Sequence, residues 1–597
     1  MIESLSEEAG QEARGPAAWV SRLARGERPV AGIAFLLLVV FYLATAAGNL
    51  SETDDVYAFA YRAEHFSVDY LSDPRLMLYH IFMRLLFLGS SALGLNVSAL
   101  TLMRCVSAFC AAASLILLLR VVVADLKLSA TTGVLSAVIL GSCYGFWRYA
   151  AEAEVYIPAI LLILLVFHGL SRGFETLGEA GRAARLPVFA GWGVLSGLTV
   201  LFYQPGVIPL FFAFPLLLLY RNRILHLGFY LTAGGTVVIA GYLLGFLAFW
   251  PEPLSLSAFS GFLSQRAEEF IVPPFTLKTV IVSMIRSAFA LGHDFVSVNW
   301  VFAFDPLVEL IRKSFSSNVI TEEVFLARRA GVLVYLPILT LALLLAASLR
   351  ILQTLRFPPL SLLRERRFLV ILVWTAINGA IIGRLNPAGL EAWIMVFPPL
   401  VMIFAVCVVE PCFKKGHGRL LAAFAGVLFL HNAIGGMALV FDPANEYDRV
   451  KGSWVIANAT PEDLVIVNGN AGLVETLRYL SAARVVMIGS FQGGRVAESL
   501  LNGDPGELLI RTSGRDFKGY MLRDLIARTW RMGGRLIFFE RFFAPPGRIS
   551  PEVWPASGAV SELQEKLVRV YDAPEVGATY VLAGPVLEGP LPEKPVE

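Results

Sequence analysis

Residues 49–87 read NLSETDDVYAFAYRAEHFSVDYLSDPRLMLYHIFMRLLF, and the fold turns on how this stretch is read. It follows a long apolar run and is the first polar, carboxylate-dense passage after it. Asp54 and Asp55 come a few residues after that run, followed by Tyr57, Tyr61, Arg62, Glu64, His65, Asp69, Asp73 and Arg75. From Pro74 to Leu95 the sequence turns apolar again, but Arg84 interrupts it. Either this second part crosses a membrane or it lies flat on one.

Composition makes the membrane the relevant solvent. Of 597 residues 56% are hydrophobic and 16% charged, against roughly 45–50% and 25% for a soluble domain. A net charge of +2 gives no electrostatic case for nucleic acid. The five cysteines, Cys105, Cys110, Cys143, Cys407 and Cys412, lie in or beside apolar runs and form no metal-binding spacing.

Apolar stretches near the ~20 residues that cross a bilayer occur at 29–48, 98–123, 130–147, 155–171, 187–202, 205–220, 228–250, 330–349, 368–385, 391–412 and 420–441. Basic residues flanking spans stay on the cytoplasmic side. With 76–95 lying at the interface, all the basic clusters fall on one side: the N-terminal arginines, Lys127, Arg172–Arg185, Arg221–Arg223, Arg350–Arg367 and Lys414–Arg419. The expectation is an α-helical polytopic membrane protein of about 11 transmembrane helices in the plasma (inner) membrane. Residues 1–28 form a cytoplasmic segment, and 29–47 read as a retained signal anchor. Outer loops fall at 49–97 and 251–329 of a membrane domain spanning 29–441. Within the second loop, TLKTVIVSMIRSAFALGH (276–293) carries Lys278 and Arg286 and reads as an amphipathic interfacial helix.

Beyond residue 441 the composition becomes that of a soluble domain. The strand patterns LVIVNGN (464–470), ARVVMIG (483–489) and RLIFFER (535–541) alternate with helical stretches. That alternation argues a small extracytoplasmic α/β domain with a parallel sheet over 442–583. Residues 584–597 form a Pro- and Glu-rich flexible tail.

The charged residues left on the outer side are the candidates for chemistry. Asp54 or Asp55 could act as a general base toward an acceptor hydroxyl, could bind a divalent cation, or could be a solvated loop acid. In FWRYAAEAEVYIP (146–158), Glu152 and Glu154 sit near membrane depth, where acids face a cavity or a partner. Arg148 is the obvious partner in a purely structural reading. Arg62, Arg75, His80 and Arg384 are cations that could hold a phosphate at the membrane surface. Snorkelling or salt bridging is the alternative for each.

The layout resembles the GT-C superfamily of membrane glycosyltransferases, which includes protein O-mannosyltransferases, lipid A aminoarabinose transferases and oligosaccharyltransferase catalytic subunits. The resemblance rests on the first-loop acids Asp54-Asp55, the segment Pro74-Arg-Leu-Met-Leu-Tyr79, Arg104 in the second span, and the acid-bearing turn Glu152-Ala-Glu154-Val-Tyr156-Ile-Pro158. It covers about residues 29–220. No WWDYG-type signature of oligosaccharyltransferases is present.

The resemblance implies inverting transfer of a sugar from a polyprenyl-phosphate donor to a lipid, glycan or protein acceptor, among membrane lipids and outside the cytoplasm. By position, Asp54 or Asp55 would match the family's catalytic acid. Glu152 and Glu154 would match its second acidic motif, which binds acceptor, donor or metal. A divalent cation, Mg or Mn, would sit on Asp55 and Glu154 in the metal-using branches; otherwise no cofactor is implied. Two other function classes compete, a lipid-linked sugar transporter or flippase and a non-catalytic membrane scaffold. The first would need acids at mid-span and two similar halves of broken helices.

Overall fold

The structure, a computed structural model, describes residues 22–23, 27–50, 55–65, 73–176, 186–219, 224–250, 252–264, 274–314, 321–354, 365–489, 493–502, 522–543, 557–573 and 576–582. The apolar runs fold as helices because a backbone without water must satisfy its hydrogen bonds within its own segment. Among the described residues seven helices are long and apolar enough to cross a membrane: Ala99–Asp125, Tyr156–Gly173, Ile224–Phe249, Leu336–Gln353, Arg366–Leu385, Leu390–Lys414 and Gly418–Val440. Five shorter apolar helices accompany them: Arg28–Ala44, Met77–Ala92, Ala130–Ser142, Leu186–Phe202 and Gln204–Leu217. The eleven apolar stretches read from the sequence correspond to the seven and to four of these, all but Met77–Ala92. The chain is a multi-pass membrane protein by this measure.

Two compact units form. One comprises 1–47, 71–315 and 330–441, and the other 48–70, 316–329 and 442–597.

Within the first unit, helices begin where polar side chains take up free amides. Ser98 accepts from Thr101 N and Ser129 from Thr132 N, while Thr276 and Thr279 close a reciprocal capping box. Helices Leu186–Phe202 and Ile224–Phe249 pack closely because glycines face backbone. A Cβ on Gly197 would stand 2.6 Å from Gly234 O, and one on Gly234 2.8 Å from Gly193 O. Helix Met77–Ala92 buries Met77, Tyr79, His80 and Met83 and exposes Phe82, Leu85 and Leu88. Helix Leu277–Phe295 matches the amphipathic stretch and is not among the seven.

A buried polar network ties the segment 293–300 to the last apolar helix. Asn432 accepts from Ser297 N (2.8 Å) and donates to Ser142 O (2.7 Å) and Phe295 O (2.9 Å). Next to it, His431 bridges Thr340 Oγ1 (2.8 Å) and Ser297 O (2.9 Å). Asn299 Nδ2 donates to Tyr144 Oη at 2.8 Å.

The second unit is built on a five-stranded sheet: β1 Leu464–Asn468, β2 Arg484–Ile488, β3 Leu536–Phe539, β4 Val568–Ala573 and β5 Gly577–Leu582, in the order β2-β1-β3-β5-β4. β1 pairs in parallel with β2 and β3, which are the three strands expected from sequence. The purely parallel sheet is corrected, since β5 joins β3 antiparallel and turns back into β4. β1 reads as an unbroken apolar run because both faces are covered. Leu464 and Ile466 pack with Val496, Leu500 and Ile526, and Val465 and Val467 with Val455, Leu473 and Leu477. At its start Asp463 accepts from Thr460 N (2.8 Å), Arg535 N (2.8 Å) and the Arg535 guanidinium (2.7 Å). Those bonds hold its carboxyl below the usual range against the opposing effect of burial.

Candidate active site

In the first unit the predicted acidic turn is a buried constellation. The short helix Tyr144–Tyr149 ends in the turn that carries Glu152 and Glu154, and helix Tyr156–Thr176 begins just after it. Arg148, Glu152 and Glu154 are all buried. Arg148 Nη1 forms an ion pair with Glu152 Oε1 one helical turn on, so the structural partner expected from sequence is in place. Ser107 Oγ donates to Glu154 O at 3.5 Å, fixing the turn against the second apolar helix.

Three tyrosines line this turn in series. Tyr149 and Tyr156 meet edge to face at 5.9 Å between ring centroids, and Tyr156 and Tyr203 at 5.7 Å. Burial raises the Tyr149 phenol well above its ordinary range, and the charges of Glu391, Glu152 and Glu154 push it further. Tyr203 is raised by burial first, then by Glu391 and Glu154, while Arg75 pulls the other way. Carboxylates at 152, 154 and 391 and the Arg75 guanidinium therefore act on one set of phenols. Gln204 N donates to Arg75 O at 2.9 Å, and Arg75 Nε donates to Asp73 Oδ1 at 3.3 Å.

The structure thus gathers Glu152, Glu154 and Arg75, and adds three residues that sequence reading assigned no role in a site: Tyr203, Asp73 and Glu391. Tyr203-Gln204-Pro205-Gly206 was legible as a polar break between two apolar runs. Glu391 was legible only as a charge in a short turn. His80 is buried beside Tyr79, with ring centroids 5.7 Å apart. Arg384 lies over the Phe275 ring at 5.8 Å.

Asp55 and Arg62 belong to the second unit. The helix Asp55–His65 opens with Asp55, an acid placed well for the positive end of the helix dipole. It docks on helix Ala471–Leu480, where Tyr57 stacks at 5.7 Å on Tyr479 and Tyr479 Oη donates to Glu64 Oε1 at 2.9 Å. Tyr57 Oη donates to Glu446 Oε2 at 3.0 Å. Arg62 is buried with its guanidinium 5.4 Å from the Phe59 ring centroid. Asp54 lies outside the described residues. Among the described residues no three His, Cys, Asp or Glu side chains gather as a metal site requires.

An apolar groove of about 500 Å³ runs along helix Arg28–Ala44, between Leu37, Phe41, Leu115, Val138 and Phe429. It offers room for a hydrocarbon chain and almost no polar surface for chemistry.

No protein-family model and no curated protein matches the sequence. Solved structures do match. ArnT from Cupriavidus metallidurans bound to undecaprenyl phosphate superposes with a TM-score of 0.51 at 10% identity, over 95% of this chain and 99% of that one. The apo ArnT structure gives 0.52 at 12% identity, over 94% and 98%. The chain has the ArnT fold. An Archaeoglobus fulgidus oligosaccharyltransferase in complex with Zn and sulfate reaches only 0.42 at 12% identity, over 92% of this chain and 72% of that one, and carries no weight. The expected fold, a helical membrane domain followed by a small α/β domain, is in coarse outline the one shared with ArnT. The match to ArnT runs through both units, so the likeness extends well past residue 220, where the sequence resemblance faded.

Proposed function

We propose that the chain is a membrane glycosyltransferase that moves a sugar from a polyprenyl-phosphate carrier to an acceptor on the extracytoplasmic side, with inversion. The observation that carries this reading is the ArnT fold over nearly the full length of both chains, one ArnT being bound to undecaprenyl phosphate. The buried cluster around Glu154 supports it chemically. Inverting transfer needs an acceptor oxygen deprotonated on one side of the anomeric carbon and a phosphate leaving group stabilised on the other. The acceptor O–H bond breaks as its oxygen bonds the anomeric carbon, and the bond from that carbon to the phosphate oxygen breaks with its electron pair.

In this reading Asp54 or Asp55 receives the proton. Glu152 and Glu154 bind the acceptor, or Glu154 with Asp55 holds a divalent cation. Arg75 is the foremost phosphate-binding group, with Arg62, His80 and Arg384 as further candidates. Arg75 and Tyr203 favour this assignment because guanidinium and phenol supply donors beside the acids. The acceptor, whether lipid, glycan or protein, is set by groups on the same outer side.

The test is transfer from an undecaprenyl-phosphate-linked sugar by the full chain in proteoliposomes. Asp54→Asn or Asp55→Asn should lower the rate by about 10²-fold or more, and Arg75→Gln should weaken donor binding. Full activity in both aspartate single variants and the double variant would remove the catalytic assignment. Sugar-lipid movement across the bilayer without transfer would support the flippase class instead.

A further inference from the structure

The apolar groove along helix Arg28–Ala44 ends among cations that the transfer chemistry does not use. Its walls are that helix, helices Ala99–Asp125 and Ala130–Ser142, and Phe429. Leu37 and Val138 line it and remain exposed, so it opens along its length to the surroundings of the helices. For a membrane protein those surroundings are lipid. At one end Leu23, Val30, Ala34 and Leu119 pack together, which sets the start of the first helix beside residue 120 of the second. At the other end Trp147 Nε1 donates to Thr45 Oγ1 at 2.9 Å, next to Arg148 and the acidic turn.

Arg28 and Arg120 converge on the first of these ends. Phe35 and Phe109 meet edge to face, with ring centroids 4.7 Å apart. Arg28 lies two turns before Phe35 and Arg120 three turns after Phe109, so each arginine is on the face of its helix that meets the other helix. Arg120 also follows Ile116, a residue of the groove wall, by one turn. The helices that wall the groove carry a single acid, Asp125, and His168 Nδ1 meets its Oδ2 at 2.7 Å. Glu27, just before the first helix, is paired with Arg22 at 2.5 Å. Among the described residues the guanidiniums of Arg28 and Arg120 have no hydrogen bond or ion pair, and neither arginine is buried. Two positive charges at the mouth of an apolar slot are complementary to an anion that carries a hydrocarbon chain.

We propose that the groove binds a phospholipid with an anionic headgroup, an acyl chain lying between Leu37 and Val138 and the phosphate held by Arg28 and Arg120. Guanidinium offers phosphate paired N–H donors, and basic residues at a membrane surface attract anionic lipids. The polyprenyl carrier does not fit the same place as a donor. The 17 residues of helix Arg28–Ala44 rise about 25 Å, which puts a phosphate at Arg28 out of reach of the acidic turn at the other end. The site stands apart from the transfer reaction and does not depend on it.

The test is native mass spectrometry of the full chain released from a neutral polyoxyethylene detergent, with phosphatidylglycerol and phosphatidylcholine of the same chains as probes. Phosphatidylglycerol should be retained about tenfold more strongly. Arg28→Gln combined with Arg120→Gln should erase that preference, and Val138→Trp should weaken both lipids by filling the slot. Arg419→Gln, at an exposed arginine outside the groove lining, should change neither. Equal retention of the two lipids, an unchanged preference in the double arginine variant, undiminished binding in Val138→Trp, or an equal loss in Arg419→Gln would overturn the proposal. So would displacement of phosphatidylglycerol by an equal amount of undecaprenyl phosphate, which would give the slot to the carrier, or a lipid-free dimer, which would give it to a second copy. Should a variant fail to fold, a photoactivatable phosphatidylglycerol on the unaltered chain decides. Labelling of residues 28–44 and 99–125 above that by a phosphatidylcholine analogue is expected, and equal labelling overturns the site.

Discussion

Asp463 and Glu152 are both buried carboxylates, and each is paired with an arginine. Asp463 sits at the entry to β1, where backbone amides and Arg535 surround it. Removing that carboxylate leaves Thr460 N and Arg535 N without their acceptor, each unmet group costing about 1–3 kcal/mol. Asp463→Ala should therefore accelerate hydrogen exchange across residues 464–468 by orders of magnitude while sparing the membrane helices. Because its folded pKa is lowered, Asp463 stabilises above the ordinary carboxylate range and loses that contribution as pH falls through the folded value. The acid limb of domain unfolding should be shallower in Asp463→Asn.

Asp448 runs the other way. Burial pushes its carboxyl up to about 6 despite Lys451 and Asn470, so its protonated form favours the fold. Its contribution is lost as pH rises from about 4 through 6. Comparison of unfolding midpoints for the unaltered chain and Asp448→Asn over that window isolates this slope; equal slopes would refute it. The Arg148–Glu152 pair was readable from spacing alone, being one helical turn apart beside a membrane surface. Asp463 could be read as part of a Thr460–Asp463 turn, but its bond to Arg535, 72 positions on, depends on strand register that no local pattern encodes.

At the scale of elements, what matters is how the helices close on one another. Asn432 makes three hydrogen bonds to three separate backbone positions. Asn432→Leu would leave Ser297 N, Ser142 O and Phe295 O without it, each unmet group costing about 1–3 kcal/mol. The expected result is a melting temperature lower by several degrees in detergent. Gly197→Val should do the same by driving apart helices Leu186–Phe202 and Ile224–Phe249. An unchanged melting temperature in either variant would show that the contact contributes little.

The long apolar helices were legible because a bilayer leaves few alternatives to a continuous helical run. β4 and β5 were not. β4 has mostly exposed or half-exposed residues and is an edge strand, so its sequence VRVYDA shows no apolar face. The network at Asn432 was equally silent, since a lone Asn near a helix end looks the same whether it faces lipid headgroups or three amide groups.

At the scale of the whole molecule, an ArnT fold is recovered at 10–12% identity. The order of apolar helices, connecting segments and terminal domain is therefore kept where individual side chains are not. This explains why the Glu152–Glu154 turn was readable as a charged break between two apolar runs. It also explains why Tyr203, Asp73 and Glu391 were missed, because they reach the cluster from three distant parts of the chain. Replacing Glu154 by Gln should lower transfer while leaving the Arg148–Glu152 pair and the melting temperature intact. A fall in melting temperature without a change in transfer by the folded fraction would mark Glu154 as structural.

The helix Asp55–His65 has its binding surface far down the chain. Tyr57 meets Glu446 across 389 positions, and Glu64 meets Tyr479 across 415. At about 5–20 residues per second of synthesis, that helix waits some 20–80 s before its partner strand of sequence exists. Throughout that interval Tyr57, which stands over Tyr479 in the folded unit, has no surface of its own unit to cover it. The sheet domain is therefore not completed by residues 442–597 alone, since 48–70 belongs to the same unit. Expressed by itself, 442–597 should be protease-sensitive at helix Ala471–Leu480, and a peptide spanning 49–65 should restore its protection. A chain that stops before residue 446 would leave Tyr57 and Glu64 without the side chains they bond.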